Sequence, residues 1–181
     1  IILALGSGIG TGASVLISNS LGSKQKGLAM KYAAQSISIG AIISVLLTII
    51  GLMIAPWLFT LLGAQGSYLG LSLDYMNVIF YGTIFFMVIF VLSSILSAHG
   101  DTKPFRNALI AGFFLNVVLD PLFMLGFGPV PKMGIAGLAI ATVLVQFLTM
   151  FYLAYEAVRI GIFSNARSAD FVPSYSHFRA L

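Results

Sequence analysis

The sequence contains little charge and few reactive side chains. It has no cysteine and only two histidines, His99 and His177, so disulfides, thiolate chemistry and cysteine-based metal sites are excluded. Charged residues make up only 8% of the 181 residues, whereas soluble domains carry about 25%. The basic residues form no cluster interleaved with aromatic residues, so the net charge of +4 does not indicate a nucleic-acid partner.

Long apolar runs take the place of the missing charge. Hydrophobic residues make up 59% of the chain, and the mean hydropathy is +1.05, which predicts an all-α polytopic membrane protein. Breaks in the apolar pattern predict five spans, at about 1–21, 32–62, 68–98, 104–127 and 133–158, followed by a cytoplasmic or interfacial connector at 161–181. The chain starts on Ile1 within an apolar run and lacks a signal-peptide pattern, so we expect it to be an internal piece of a longer protein.

The first predicted span is rich in glycine. Gly8, Gly10 and Ala13 formally match a dinucleotide-binding fingerprint, but no strand precedes them and no acidic residue follows at the required distance. The spacing of Gly6 and Gly10 is instead typical of closely packed membrane helices. We therefore interpret this segment as a packing face or a bend.

One ionisable residue lies in the middle of a span. Asp120 is the only such residue in the apolar run 108–127, where a charge costs about 2.5–3.5 kcal/mol on insertion scales. Asn116 lies four residues earlier, on the same helical face. Pro121 cannot donate to the carbonyl of Val117, so we expect a hinge there with a spare carbonyl oxygen. This group could hold a proton, a small cation or a water cluster.

The alternative for Asp120 is a carboxylate near the membrane interface that only anchors the helix. The apolar run extends well to both sides of Asp120, which argues against that position. For Asn116 the alternative is a hydrogen bond to a neighbouring helix. For Thr142 it is a hydrogen bond to a backbone carbonyl of its own helix.

Four motifs occur in one order along residues 1 to about 160, and together they resemble the multidrug and toxic compound extrusion (MATE) family. They are Gly6–Ser14 followed by Ser18-Asn19-Ser20-Leu21-Gly22, then Gly100-Asp101-Thr102-Lys103-Pro104, then Asn116-Val117-Val118-Leu119-Asp120-Pro121-Leu122-Phe123, and finally Met133–Thr142.

The resemblance implies a fold of two six-helix lobes, of which this chain supplies helices two to six of the first. It implies a prokaryotic inner-membrane antiporter that exchanges H⁺ or Na⁺ for organic, often cationic, drugs. It also implies a cation site formed by Asn116, Asp120 and Thr142, with Ser93 at a position where some members have asparagine. The partners are then the drug-like substrate, the bilayer, helix one and the second lobe, and no cofactor is expected beyond the coupling ion.

Other functions fit the sequence less well. A related lipid-linked oligosaccharide flippase needs basic residues in its cavity, and the predicted spans hold none in mid-membrane. A membrane-embedded enzyme needs clustered carboxylates or a nucleophile with a base, whereas Asp120 is alone. A scaffold without transport leaves Asp120 unexplained, so we expect a transporter and not an enzyme.

The distribution of basic residues predicts the orientation of the chain. Of the nine Lys and Arg residues, eight fall in the first and third loops and the tail, and only Lys132 falls on the other side. The positive-inside rule makes the eight-residue side cytoplasmic.

Cysteines introduced as Lys26→Cys and Lys103→Cys should therefore react with a labelling reagent from the cytoplasm, and Gln65→Cys from outside. Labelling of Gln65→Cys and Lys26→Cys from the same side would contradict the five-span arrangement.

Overall fold

The computed structural model describes residues 2–163 and residue 170. This part of the chain folds into the helices α1 Ile2–Gly22, α2 Lys26–Leu61, α3 Ser67–Tyr81, α4 Thr83–Ala98, α5 Lys103–Leu125 and α6 Ile135–Arg159. The expected all-α class is confirmed. Most of the predicted connector at 161–181 lies outside the described residues.

Three helices, α2, α5 and α6, are long and apolar enough to cross a membrane. The bent pair α3 and α4 forms a further span if the two helices are taken together. α1 has 21 residues, which is long enough to cross a bilayer, and its glycines and serines make it less apolar than α2.

The prediction of one helix over 68–98 is wrong. The structure has two helices here, which meet at Gly82 with a bend of 44°. Gly82 is buried, and a methyl group on it would come within 2.5 Å of Val143 Cγ2 on α6. Thr48 of α2 donates a hydrogen bond of 2.7 Å to the carbonyl oxygen of Phe80. The break is thus packed and hydrogen-bonded inside the protein, which is where a membrane protein tolerates irregular backbone.

The predicted start of the second helix is also too late. α2 begins at Lys26 rather than near residue 32, because basic residues at the membrane surface can point outward without ending a helix. Pro56 lies inside α2, which continues to Leu61. The other helix ends lie within two residues of the predicted ones.

The core is built around α4, which packs against α1, α2 and α6. Ile95 and Leu96 are fully buried there. A Cβ on Gly6 would lie 2.6 Å from the ring of Phe90, and one on Gly10 would lie 2.5 Å from Ser94 Oγ. The interpretation of Gly6 and Gly10 as a packing face is therefore confirmed, whereas Gly8, which with Gly12 has the same spacing, is exposed and a Cβ on it would meet no atom within 4 Å.

α5 packs mainly against α6, and glycines allow the close approach. A Cβ on Gly137 would lie 2.5 Å from the carbonyl oxygen of Phe123 and 3.0 Å from the backbone nitrogen of Met124. A Cβ on Gly112 would lie 3.1 Å from Val145 Cγ1. The contact at Gly137 is with the backbone of α5, which cannot rotate away as a side chain can.

Because of this contact, we expect Gly137→Ala to lower the stability of the protein, whereas a glycine-to-alanine change within a helix usually raises it. In an open helix the change stabilises by about 1 kcal/mol, but Gly137→Ala should cost on the order of 1–3 kcal/mol because the helices must move apart. Gly137→Leu should impair assembly of the whole transporter more severely.

Thermal unfolding and size-exclusion profiles of the purified transporter measure this effect. Gly70→Ala in α3 is the matched control, because no atom lies within 4 Å of the added methyl group. A Gly137→Ala protein as stable as the control would show that α5 and α6 are not held together at this point.

Candidate functional site

The contacts between α5 and α6 fix which residues share a level in the bundle. Gly112 on α5 faces Val145 on α6, and Phe123 faces Gly137, so the two helices are antiparallel. Asn116 and Asp120 lie between the two contact points on α5, and Thr142 lies between them on α6. The structure therefore brings the segments that carry the three predicted ligands to one level.

Asn116 and Asp120 carry buried oxygens that have no hydrogen-bond partner. Both residues are partly buried, and the Oδ1 atom of each is inaccessible to solvent and unpaired among the residues that the structure describes. A buried acceptor without a donor costs about 1–3 kcal/mol. Two such acceptors on one helical face, four residues apart, can together accept a hydrogen bond from one donor or ligate one small cation.

Thr142 uses its hydroxyl proton within its own helix. Its Oγ1 donates a hydrogen bond of 3.0 Å to the carbonyl oxygen of Leu138, which is the alternative that the sequence left open for this residue. The oxygen keeps lone pairs, so Thr142 can still accept a hydrogen bond or ligate a cation. It cannot donate to Asp120 without giving up this bond.

Pro121 lies inside α5, which continues to Leu125. Because proline has no N–H, the carbonyl of Val117 lacks its usual helical donor. This carbonyl is one turn from Asp120, and it supplies the spare acceptor that the sequence predicted. The helix is not ended by Pro121, so any hinge here operates within α5.

The structure does not bring Ser93 to this level. Ser93 is on α4, eleven residues beyond Gly82, which corresponds to about 16 Å along a helix. Since Gly82 contacts Val143, next to Thr142, Ser93 lies well toward the end of the bundle at which α4 ends. Its buried hydroxyl donates to the carbonyl oxygen of Phe90 at 2.9 Å. A role for Ser93 as a cation ligand stays a prediction from the resemblance, and this register does not support it.

The site holds one carboxylate and neutral oxygens. No group of three or more His, Asp or Glu side chains that could hold a metal ion occurs in residues 2–163 or at residue 170. A single carboxylate with amide, hydroxyl and carbonyl oxygens suits a proton or a small monovalent cation with hard oxygen ligands.

One neighbour of the site could not be found from the sequence motifs. Val143 follows Thr142 and packs on the break at Gly82, so the break between α3 and α4 lies beside the proposed ligand set. The only sequence signal was a glycine in an apolar run, and such glycines are common in membrane helices.

Comparison with known proteins identifies a family model and several relatives of this chain. The MatE family model matches residues 1–122. The chain is 30% identical over 146 residues to the "Probable multidrug resistance protein YoeA" of Bacillus subtilis, and covers 32% of that protein. It is 31% identical over 142 residues to the "FAD transporter" of Shewanella oneidensis, and covers 31% of it. These matches use 81% and 78% of the present chain.

A solved structure of a multidrug resistance MATE transporter in the inward-facing conformation has the same fold. It superposes with a TM-score of 0.87 at 32% identity, over 99% of this chain and 40% of that one. The present chain thus spans about a third of the length of the curated relatives it matches. It corresponds to a fragment of the N-terminal lobe.

The unpaired oxygen of Asn116 predicts how stability responds to its removal. Asn116→Leu removes a buried acceptor, so in Na⁺-free buffer it should leave the free energy of unfolding unchanged or raise it by about 1 kcal/mol. Asn107→Leu, at an exposed asparagine of the same helix, is the control for the gain in helix propensity. Thermal unfolding of the whole transporter measures both. A clear loss of stability in Asn116→Leu alone would mean that Asn116 stabilises the fold through a hydrogen bond to a neighbouring helix.

Proposed function

The chain belongs to the MatE family of membrane transporters, and we propose that the whole protein is a cation-coupled efflux antiporter. In this proposal it exports organic, often cationic, drug-like compounds across a prokaryotic inner membrane in exchange for H⁺ or Na⁺. Its similarity to a probable multidrug resistance protein of Bacillus subtilis and to a multidrug resistance MATE transporter of known structure supports this substrate class. The site residues are Asp120 and Asn116, with Thr142 contributing an oxygen from α6.

The unpaired pair of oxygens on α5 carries the proposal. A proton on Asp120 could be donated to the amide oxygen of Asn116, which would give both groups a partner. A Na⁺ ion could instead bind both oxygens together with Thr142 Oγ1 and the free carbonyl of Val117. In either case one monovalent cation satisfies atoms that otherwise stay buried without partners. A residue that only anchored the helix at the interface would not be buried in this way.

Coupling follows from the different energy of the occupied and empty states. With the cation bound, the closely packed arrangement of α5 on α6 has no buried unpaired oxygen at this point. When the cation leaves, the carboxylate is charged and favours an arrangement that admits water. A ligand that binds two conformations with different affinity shifts their populations, which is what alternating access requires.

The flippase alternative gains no support from the structure. Its phosphate-bearing substrate would need basic side chains within the lobe. In the part of the chain that the structure describes, Lys and Arg lie at helix ends and loops, at positions 24, 26, 31, 103, 106, 132 and 159. The level of Asp120 carries no positive charge.

The decisive variant is Asp120→Asn in the full-length transporter. The amide keeps the shape and removes the exchangeable charge, so the protein should still insert and bind some drug. Ion-driven efflux should fall to background, and Asn116→Ala should reduce it less severely. Efflux of a fluorescent organic cation from proteoliposomes under an imposed pH or Na⁺ gradient measures both.

Asp74→Asn is the matched control, because Asp74 is an exposed carboxylate in α3 and should leave efflux unchanged. A gradient of protons alone and a gradient of Na⁺ alone identify the coupling ion. Wild-type efflux by Asp120→Asn under the same gradient would show that Asp120 is structural and that the assignment of the site is wrong.

A further inference from the structure

A cavity lies at the end of the bundle opposite to the loop after α2, and the proposed transport mechanism does not use it. It has a volume of about 380 Å³ and is formed where α1 ends, α2 begins, α4 ends and the chain leaves α6. Leu21, Lys26, His99 and the segment 160–162 line it. By the positive-inside rule this is the cytoplasmic end.

Two basic side chains from different helices meet at this cavity. Lys26 opens α2, and His99 follows the last residue of α4. The Nδ1 atom of His99 lies 2.9 Å from the carbonyl oxygen of Ile95. Because a carbonyl only accepts, Nδ1 carries the proton of this bond, and the ring is held with Nε2 available to a ligand. Lys26 makes no ion pair with any residue that the structure describes.

The neighbouring carboxylates are turned to other partners. Asp101 accepts a hydrogen bond of 3.2 Å from the backbone N–H of Lys103, and Glu156 pairs with Arg159 at 3.3 Å. Neither acid lines the cavity. Lys24 and Lys31 lie close in sequence to Lys26 and add positive charge at the same end of the bundle. The cavity therefore favours an anion.

Apolar side chains form part of the walls of the cavity. Leu21, Met30 and Ile162 contribute to them, and Ile162 is almost fully buried. An inorganic anion would leave these walls in contact with water, whereas an amphiphile with a charged head would cover them. Basic pockets between membrane helices on the cytoplasmic side are known to hold anionic lipid headgroups.

We propose that this cavity binds the phosphate group of an anionic phospholipid from the cytoplasmic leaflet. Lys26 Nζ donates to the phosphate oxygens, and His99 Nε2 accepts a hydrogen bond from a hydroxyl of the headgroup. Leu21, Met30 and Ile162 contact the glycerol and the first carbons of the acyl chains. The lipid joins α1, α2, α4 and the end of α6 at one point, so it stabilises the folded lobe from its cytoplasmic end.

The test measures binding of short-chain phosphatidylglycerol to the detergent-purified whole transporter. Lys26→Gln should weaken binding about tenfold, as expected for the loss of one charge-assisted hydrogen bond. Lys26→Arg should retain it, and His99→Gln should weaken it separately. Lys24→Gln is the matched control, because it removes the same charge two residues away, at a side chain that does not line the cavity. It should change binding less than twofold.

Two further ligands identify what the cavity recognises. Short-chain phosphatidylcholine has the same phosphate with no net charge and should bind at least tenfold more weakly. Inorganic phosphate alone should not compete at millimolar concentration. Equal losses in Lys24→Gln and Lys26→Gln would overturn the proposal in favour of general surface attraction. Competition by inorganic phosphate that depends on Lys26 would overturn the lipid in favour of a free phosphate ligand.

Discussion

The close approach of α5 and α6 is the interaction on which the candidate site depends. Lipid offers no hydrophobic driving force between helices, so packing of small residues must hold them together. At Gly137 the backbone of α6 lies against the carbonyl of Phe123, at a distance that leaves no room for a side chain. α5 packs on little else in this part of the protein. The oxygens of Asn116 and Asp120 are therefore buried chiefly because α6 is so near.

Most polar side chains in the lobe are satisfied without any ligand. The hydroxyls of Ser20, Ser44, Thr83 and Ser93 each donate to a carbonyl three or four residues earlier in the same helix. The carboxylate oxygen of Asp120 and the amide oxygen of Asn116 cannot be paired in this way, because the backbone N–H groups within a helix are already used. Gln35 Oε1 and Ser36 Oγ on α2 are also buried without partners, but no carboxylate accompanies them. Within the part of the chain that the structure describes, only the pair on α5 combines an unpaired amide oxygen with a carboxylate.

How much could be predicted from the sequence differs between elements. The membrane class, the spans at α5 and α6, and the shared face of Asn116 and Asp120 follow from hydropathy and helical period alone. The break at Gly82 does not, because the residues around it are as apolar as the rest of the span. It depends on Thr48 and Val143, which are distant in sequence and contribute through tertiary contact. The depth of Ser93 in the bundle is a related case: a motif gives its position along α4, but only the packing of α4 against α6 gives its depth.

α6 links the site to the break in α3 and α4. Thr142 faces the level of the α5 pair, and the adjacent Val143 fills the space over Gly82. Protein interiors are close-packed, so a rotation or shift of α6 that changes the position of Thr142 also changes the contact at Gly82. There the carbonyl of Phe80 accepts a hydrogen bond from Thr48, which extends the connection to α2. A cation bound at Asp120, as proposed above, would therefore act on a packed set of helices, and its presence would influence α2 through α6 and the break at Gly82 without any contact between α5 and α2.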